Sequence, residues 1–367
     1  MQAVAASQPD PAARVVLRDR YLRLIIDGWT ADFHLRWLRH NCDGDRHPRT
    51  GERTVDSSHL PDELAATAAE IIDGALRVTW AHDGRVSVFP LAWLRDHAYA
   101  IDRVEVPPPP SDVARLELDG RAPLAALVPE ALARVAEHGA VIVRSHGAAG
   151  AATTGHTEAL IDALAAHQLQ VIGTHFGRIE DLRTDNTTND NTDQLGYTDA
   201  AIDLHTDQPF LDQPPRYQLL HAIRAADVGG DSLIADARAA FRYLASLDPD
   251  AAGLLRRTPI VFHRRQRAFE RIVTAPLVID ELDRFLVRSS YFTLAPFKLP
   301  FAQVEAWYRA YDRFARLTRD PRHHYRFALA PGDALLYDNH RVLHGRTGFR
   351  GPRWIRGVYF DRAHHPS

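Results

Sequence analysis

The stretch Ile202-Asp203-Leu204-His205-Thr206-Asp207 decides the fold, together with a partner far downstream, Asp338-Asn339-His340-Arg341-Val342-Leu343-His344-Gly345-Arg346. Alternation along the first stretch puts His205 and Asp207 on one face of an extended segment, so that both side chains can meet one ion. His344 supplies a second imidazole. Two imidazoles and one carboxylate occupy one face of a metal and leave the opposite positions open, an arrangement typical of non-heme Fe(II) sites. The pattern predicts such a site.

The triplet by itself is weak evidence, because a chain with 20 histidines should contain a His-x-Asp triplet roughly once by chance. The downstream context strengthens it. Residues 333–338 predict a strand after the turn Pro331-Gly332, and His344 follows just beyond a polar bend. We therefore expect the third ligand to stand near the first two.

A candidate anion anchor follows His344 in Gly351-Pro352-Arg353-Trp354-Ile355-Arg356-Gly357-Val358-Tyr359. Period-2 alternation sends Arg353 and Tyr359 to one face of this strand and Arg356 to the other. A planar guanidinium binds a carboxylate through two parallel hydrogen bonds. We expect Arg353 to hold the distal carboxylate of an organic-acid cosubstrate.

Residues 173–361 resemble a known family through several ordered blocks. These are Leu195-Gly196-Tyr197-Thr198, His205-Thr206-Asp207, Pro214-Pro215-Arg216-Tyr217-Gln218-Leu219-Leu220-His221, Gly229-Gly230-Asp231-Ser232 and the two C-terminal stretches quoted above. The chain resembles the 2-oxoglutarate-dependent dioxygenases of the taurine dioxygenase superfamily, and most of all their γ-butyrobetaine hydroxylase branch. The resemblance implies a mainly β protein with flanking helices: a double-stranded β-helix, or jelly roll, as catalytic domain, and a small N-terminal β-rich domain.

The resemblance also implies residue roles. His205, Asp207 and His344 match the family's iron ligands. The residues implied to bind 2-oxoglutarate are Arg353, Ser232, Arg224 and Gln194. A carboxylate at Asp207 favours hydroxylation over halogenation, since related halogenases leave that position empty for chloride. The expected cofactor is Fe(II), with 2-oxoglutarate and O2 as cosubstrates and ascorbate as a stimulant.

The substrate predicted by the resemblance is a small zwitterion. Tyr197, Tyr359 and Phe176 fall where the branch builds an aromatic cage for a trimethylammonium group, which binds mainly by cation–π attraction. Glu180 stands where a tryptophan is expected, and a carboxylate there also accepts hydrogen bonds from a primary ammonium. The residues expected at the anionic end are Arg288, Ser290 and Thr293. For the aromatic residues the alternative is ordinary core packing, and for Glu180 it is a surface salt bridge.

These features favour hydroxylation of a 2-aminoethylphosphonate-type compound. One alternative is a γ-butyrobetaine or trimethyllysine-like hydroxylase of carnitine biosynthesis. Alternatives from other classes are a non-catalytic jelly-roll binding protein and a zinc hydrolase that uses the same triad. An oxygenase of this type releases succinate and CO2.

Composition sets further bounds. The net charge of -3 and the scattered basic residues give no reason to expect nucleic acid as a partner. The absence of a long apolar run predicts no membrane span, and the single cysteine, Cys42, fits a reducing, cytoplasmic location. Four prolines at 107–110 predict a linker at 107–111 between an N-terminal domain, 1–106, and a catalytic domain, 112–367. The resemblance suggests a homodimer.

The N-terminal part resembles the small domain of the same branch through Trp37-Leu38-Arg39-His40-Asn41-Cys42. In that branch the motif opens a zinc site of three cysteines and a histidine. Here only Cys42 remains, and Arg85 lies near the position expected for the histidine. Structural zinc requires four ligands, so we expect a loop held by hydrogen bonds and packing in place of zinc.

Overall fold

The computed structural model describes residues 13–27, 29–99, 116–183, 193–282, 284–319 and 324–362. The predicted proline linker at 107–111 lies outside these ranges, and the division into two domains stays a prediction. The N-terminal elements are β1 (Ala13–Leu17), β2 (Tyr21–Ile26), β3 (Trp29–His34), α1 (Leu35–His40), β4 (Ala66–Ile72), β5 (Ala75–Trp80), β6 (Val86–Pro90) and α2 (Leu91–Asp96). They form two antiparallel three-stranded sheets, which confirms a small β-rich N-terminal region.

The remaining elements up to the middle of the chain are β7 (Glu117–Asp119), α3 (Leu124–His138), β8 (Ala140–Arg144), α4 (Thr154–Ala165), β9 (Leu169–Val171), β10 (Glu180–Leu182), β11 (Ile202–His205), β12 (Tyr217–Arg224), β13 (Val228–Gly229), β14 (Ser232–Asp236), α5 (Ala237–Leu247) and α6 (Pro249–Arg257). After these come β15 (Ile260–Gln266), β16 (Phe269–Ala275), β17 (Val278–Glu281), β18 (Arg284–Val287), α7 (Phe301–Arg319), β19 (His324–Phe327), β20 (Ala334–Asp338), β21 (Val342–Arg346), β22 (Phe349–Arg350) and β23 (Trp354–Arg362).

Two sheets make the jelly roll. The larger has the order β10-β23-β12-β20-β8-β7, with β9 also paired to β23, and the smaller has the order β11-β21-β14-β19. Neighbours in these orders are distant in sequence, as expected where strands cross between the two sheets. The predicted mainly β jelly roll is confirmed.

Successive residues of the large sheet point to opposite sides, as strand geometry requires. Leu219 and Leu336 belong to a core cluster with apolar residues of α3 and α4, so these helices cover the outer face. Leu220 and Leu335 belong to a second cluster with Ile234 of the small sheet. The space between the two sheets therefore holds the second cluster.

Helix α7 joins the N-terminal region to the jelly roll. Trp307 and Phe314, both fully buried, lie in one core cluster with residues of the N-terminal sheets and with Leu343 of β21. The same helix makes polar contacts to the N-terminal region, including an ion pair of 2.8 Å between Arg36 and Asp312. Within the described ranges, no helix is both long and apolar enough to cross a membrane.

Candidate active site

The two sequence stretches that predicted a metal site lie side by side in the small sheet. β11 and β21 run antiparallel, and His205 pairs with His344 in their register. Oδ1 of Asp207 lies 3.3 Å from Nε2 of His205, and Oδ2 lies 3.9 Å from Nε2 of His344. One donor atom from each residue falls within 4.8 Å of the other two, and no other group of three or more potential metal ligands occurs among the described residues. The three side chains can share one ion.

The backbone around Asp207 is held in place by residues just beyond the ends of β18 and β20. Asn339 accepts a hydrogen bond from the N–H of Asp207 at 2.8 Å and donates to its carbonyl at 3.0 Å. The N–H of Thr206 donates to the carbonyl of Ser289 at 2.7 Å. Gln208 then adopts a φ of +55°, a left-handed conformation that side chains other than glycine seldom take. Such strain beside a functional group persists only where the surrounding contacts enforce it.

Hydrogen bonds orient both imidazoles. Nδ1 of His205 lies 2.8 Å from the carbonyl of Asp203, which can only accept, so Nδ1 carries the proton. The hydroxyl of Tyr337 donates to Gln218, which leaves its oxygen to accept from Nδ1 of His344 at 3.0 Å. When the two rings are neutral, these hydrogen bonds leave both Nε2 atoms with lone pairs available to a metal.

Electrostatics favour the metal-binding charge states of Asp207 and His344. Burial raises the pKa of Asp207, but His344, His205 and a 2.7 Å hydrogen bond from Tyr359 outweigh it and bring the pKa below its usual value. Burial lowers the pKa of His344 to about 3. A carboxylate and two neutral imidazoles suit Fe(II), and three ligands leave positions open for further groups.

A cavity of about 100 Å³ adjoins the triad, and three arginines line it, Arg264, Arg346 and Arg353, together with Ser232. Arg353 precedes β23, while Arg346 ends β21 and pairs with Ser232 in the sheet register. Burial lowers the pKa of Arg346 to about 10, and burial together with the charge of Arg346 lowers the pKa of Arg353 to about 9. No carboxylate of the described chain forms an ion pair with either guanidinium. This part of the cavity suits an anionic ligand.

A buried carboxyl group forms another part of the cavity wall. Glu180, at the start of β10, is 4% exposed, which excludes the alternative of a surface salt bridge. One of its oxygens accepts from Gln194 at 2.6 Å and the other lies 3.5 Å from the hydroxyl of Tyr359. Burial and the nearby charge of Asp207 raise the pKa of Glu180 to about 8. The cavity wall therefore contains a carboxyl group whose ionised form would be stabilised by a neighbouring cation.

Aromatic rings complete the wall. Phe176 and Tyr359 line the cavity, as do Phe210 and Phe292. Tyr197 is buried but does not line it; its ring packs edge to face on Phe176, with the centroids 6.4 Å apart. Two of the three residues predicted to form an aromatic cage thus face the cavity, and Tyr197 supports one of them.

Four residues with predicted binding roles do not reach the cavity. Arg288 donates to three backbone carbonyls of the 209–212 loop, at 2.6, 2.6 and 2.9 Å, so its guanidinium is occupied. Ser290 and Thr293 are buried and do not line the cavity, whereas Arg224 is exposed at the end of β12. The structure thus places these four side chains away from the cavity, and their predicted roles in substrate and cosubstrate binding stay predictions.

Comparison with known proteins decides the family. The model of the taurine catabolism dioxygenase TauD, TfdA family matches residues 105–359. The chain belongs to this family. The gamma-butyrobetaine dioxygenase of Pseudomonas sp. (strain AK-1) is 30% identical over 357 residues, covering 92% of this chain and 89% of that protein.

This TauD/TfdA family member also matches relatives at lower identity. The trimethyllysine dioxygenase of Meyerozyma guilliermondii is 24% identical over 367 residues, covering 91% of this chain and 89% of that protein. Among solved structures, the non-heme iron oxygenase OrfP in complex with Fe and alpha-ketoglutaric acid has 21% identity and a TM-score of 0.49, covering 64% of this chain and 78% of that one.

Family membership confirms the predicted enzyme class. The TauD/TfdA protein described here is a non-heme iron dioxygenase that depends on Fe(II) and 2-oxoglutarate. The donor set of the triad fits that metal, and the cavity beside it carries unpaired positive charge for an organic acid.

Some cavity residues of this TauD/TfdA enzyme were not predicted from the sequence. Arg346 stands two positions after His344, so strand alternation would have placed it on the same face. Gln208 lines the cavity, and neither atom of its buried amide has a hydrogen-bond partner among the described groups. Glu52 and Arg264 also line it, but they come from distant segments, and no local pattern could have indicated them.

The loop at Cys42 is held by ion pairs. Asp45 pairs with Arg39 and, at 2.8 Å, with Arg85, and the Cys42 thiol lies 3.5 Å from the same carboxylate. A guanidinium therefore stands where the resemblance led us to look for a histidine. These contacts hold the loop, and the absence of zinc stays a prediction.

Proposed function

We propose that this enzyme hydroxylates a C–H bond of a small zwitterion that carries an ammonium group, with release of succinate and CO2 from 2-oxoglutarate. The observation that carries the proposal is Glu180, a buried carboxyl in the wall of the cavity that also contains the triad. A buried carboxylate is costly unless a cation or hydrogen-bond donors compensate it. The names of the two curated relatives, gamma-butyrobetaine dioxygenase and trimethyllysine dioxygenase, support an ammonium-bearing substrate.

In this proposal the iron is held by Nε2 of His205, Nε2 of His344 and a carboxylate oxygen of Asp207. Arg353 binds the distal carboxylate of 2-oxoglutarate through two hydrogen bonds, and the Ser232 hydroxyl assists. When bound, Fe(II) and 2-oxoglutarate supply the oxidising chemistry that splits O2 between succinate and the hydroxylated product. The protein contributes orientation and a site from which water is excluded.

The substrate cation is expected to lie between Glu180 and the faces of Phe176 and Tyr359. The carboxylate attracts any ammonium group, and the rings add cation–π attraction. Gln208 offers a free amide donor and acceptor for the polar far end of the zwitterion. The substrate would then span the cavity with one C–H bond directed at the metal.

Two substrate types remain distinct candidates. The relatives favour a trimethylammonium compound of the γ-butyrobetaine or trimethyllysine kind. Glu180 favours a primary ammonium, because only N–H groups can donate to its oxygens. The 2-aminoethylphosphonate-type compound favoured by the sequence has no specific support from the relatives, and its predicted anion site at Arg288 lies outside the cavity.

A substrate panel tests the proposal. γ-Butyrobetaine, trimethyllysine, their unmethylated counterparts and 2-aminoethylphosphonate are assayed for succinate release above the rate without substrate. We expect at least one ammonium compound to stimulate release and its neutral isostere to fail. A response to none of the ammonium compounds would overturn the proposal. Glu180→Trp is expected to shift preference toward the trimethylated members, whereas Glu180→Gln should weaken all of them.

A further inference from the structure

A continuous chain of four polar side chains crosses the cavity wall: Glu52, Arg264, Gln194 and Glu180. Glu52 and Arg264 form a buried ion pair. Arg264 donates to Oε1 of Gln194 at 2.6 Å, and Nε2 of Gln194 donates to Glu180 at 2.6 Å. The other oxygen of Glu52 accepts from the backbone N–H of Leu195. Every link of this chain lies within hydrogen-bond distance.

The direction of the hydrogen bonds follows from the chemistry of the groups. A guanidinium has only donors, so the amide oxygen of Gln194 must face Arg264. The amide NH2 of Gln194 is then turned toward Glu180, whose carboxylate can only accept when ionised. Arg264 therefore fixes the amide, and the amide fixes one oxygen of Glu180. The second oxygen of Glu180 lies 3.5 Å from the hydroxyl of Tyr359, and both residues line the cavity.

Glu52 keeps Arg264 from pairing with Glu180. A buried guanidinium without a matching charge is unfavourable, and burial already lowers the pKa of Arg264 to about 9. Without Glu52 the nearest carboxylate along the chain of hydrogen bonds would be Glu180, and pairing with it would cancel the charge that a substrate cation needs. Glu52 keeps Arg264 engaged on the far side of Gln194.

The segment that carries Glu52 is itself anchored. Its neighbour Arg53 is buried and donates to the carbonyl of His40 at 2.9 Å, to Asn41 at 2.5 Å and to the carbonyl of Tyr291 at 3.3 Å. These contacts tie the N-terminal region to a segment just outside the cavity. Glu52, which belongs to the N-terminal region, is thereby held at a fixed position beside Arg264.

We propose that Glu52 is a positioning residue for substrate recognition, which acts through Arg264 and Gln194 to hold the Glu180 carboxylate ready for the ammonium group of the substrate. The inference rests on the proposed function and deepens it. It makes the N-terminal region a determinant of substrate preference.

Glu52→Gln tests the inference, because it removes the charge and keeps the shape. We expect the KM for a primary-ammonium substrate to rise about tenfold, the effect of losing one charge-assisted hydrogen bond, with kcat changed less than about twofold. The KM for a trimethylated substrate, which donates no hydrogen bond, should rise less. Glu52→Asp retains the charge and should restore part of the affinity. If Glu52→Gln does not fold, Gln194→Met breaks the chain between Arg264 and Glu180 and should raise KM in the same way.

Asp312→Asn is the matched control. It breaks a buried ion pair with Arg36 between the N-terminal region and α7, but Asp312 does not line the cavity. We expect a lower Tm and an unchanged ratio of KM values for the primary and trimethylated substrates. An unchanged ratio in folded Glu52→Gln, or an equal change in Asp312→Asn, would overturn the inference.

A measurement without substrate separates the inference from the proposed function. The infrared band of the Glu180 carboxyl group is assigned as the difference between the wild type and Glu180→Gln. We expect this band to shift in Glu52→Gln and to stay in place in Asp312→Asn. If no ammonium compound stimulates the wild type, the proposed function fails, and the band still decides whether Glu52 controls Glu180. A band that does not move in Glu52→Gln refutes that control.

Discussion

Individual residues of the site differ in how far the sequence could indicate them. His205, Asp207 and Arg353 follow from strand alternation, since each sits in or beside an extended segment whose inner face is set by local pattern. The placement of Arg288 could not be foreseen, because its guanidinium is taken by carbonyls of the 209–212 loop that only the fold brings near. The same holds for the burial of Glu180, which depends on Gln194 and distant strands.

Arg353 brings a positive charge into the cavity without a described carboxylate to match it. Replacing it by Ala should raise the KM for 2-oxoglutarate about tenfold to a hundredfold, since a bidentate charge-assisted contact contributes roughly 1.5–3 kcal/mol. Arg353→Lys should recover only part of the affinity, because an ammonium cannot bind both oxygens in a planar fork. Arg224→Ala, at an exposed strand end, is the control; equal KM values in the Arg353 and Arg224 variants would contradict the assignment.

Glu180 should give the activity a distinct pH dependence. Its pKa is raised from 4.5 to about 8 by burial and by Asp207, so the carboxyl is neutral below that value and charged above it. Because only the charged form attracts an ammonium group, kcat/KM should increase as the pH rises toward about 8. Fe(II) on Asp207 offsets part of the charge that raises this pKa, so the increase should come at or below that pH. Glu180→Gln should lack the increase, and a profile identical to the wild type would count against the role of Glu180.

At the scale of elements, the strand before the third ligand was predicted and the strand that carries the ligand was not. The strand predicted at 333–338 is β20, and the expected bend follows it at 339–341. His344 then lies inside a further strand, β21, because pairing with β11 and β14 on both sides extends that strand through it. Such pairing is a long-range effect that no local pattern contains.

The close approach of β21 and β11 makes Gly345 critical. A Cβ at Gly345 would lie 2.8 Å from the carbonyl oxygen of Ile202 and 3.1 Å from the carbonyl carbon of Asp203, so one backbone must move. Gly345→Ala should therefore separate His344 from His205, cost about 1–3 kcal/mol of stability and weaken metal binding. A metal titration that is monitored by calorimetry measures the change in metal affinity.

Gly348→Ala is the matched control for Gly345→Ala. A Cβ there would meet its nearest backbone atom at 3.5 Å, an ordinary contact. Metal affinity should stay at the wild-type value. Equal affinities in the two glycine variants would show that the spacing of β11 and β21 does not set the ligand geometry.

At the scale of the whole molecule, the N-terminal region and the jelly roll share a hydrophobic core through α7. The resemblance and the four prolines indicated a separate small β-rich region, but not that its apolar side chains would pack into the cluster that contains Trp307 and Leu343. A local sequence pattern cannot indicate these contacts, because they join segments that are distant in sequence, as the pairing of β21 does. The homodimer suggested by the resemblance stays a prediction.

The shared core predicts that both regions unfold together. Trp307 is fully buried in that cluster, so Trp307→Ala should cost about 3–5 kcal/mol. Calorimetry should show one transition in the wild type, shifted as a unit in the variant. Two transitions, of which only one moves, would mean that the regions are energetically independent.

The most direct test of the account is the fate of labelled oxygen. The iron-loaded enzyme is incubated with 18O2, 2-oxoglutarate and γ-butyrobetaine, or with its unmethylated counterpart, and the products are analysed by mass spectrometry. The account predicts one labelled atom in succinate and one in the hydroxylated zwitterion, and neither product with Asp207→Ala. Succinate labelled without any labelled zwitterion from either compound, or product formed without O2, would contradict it.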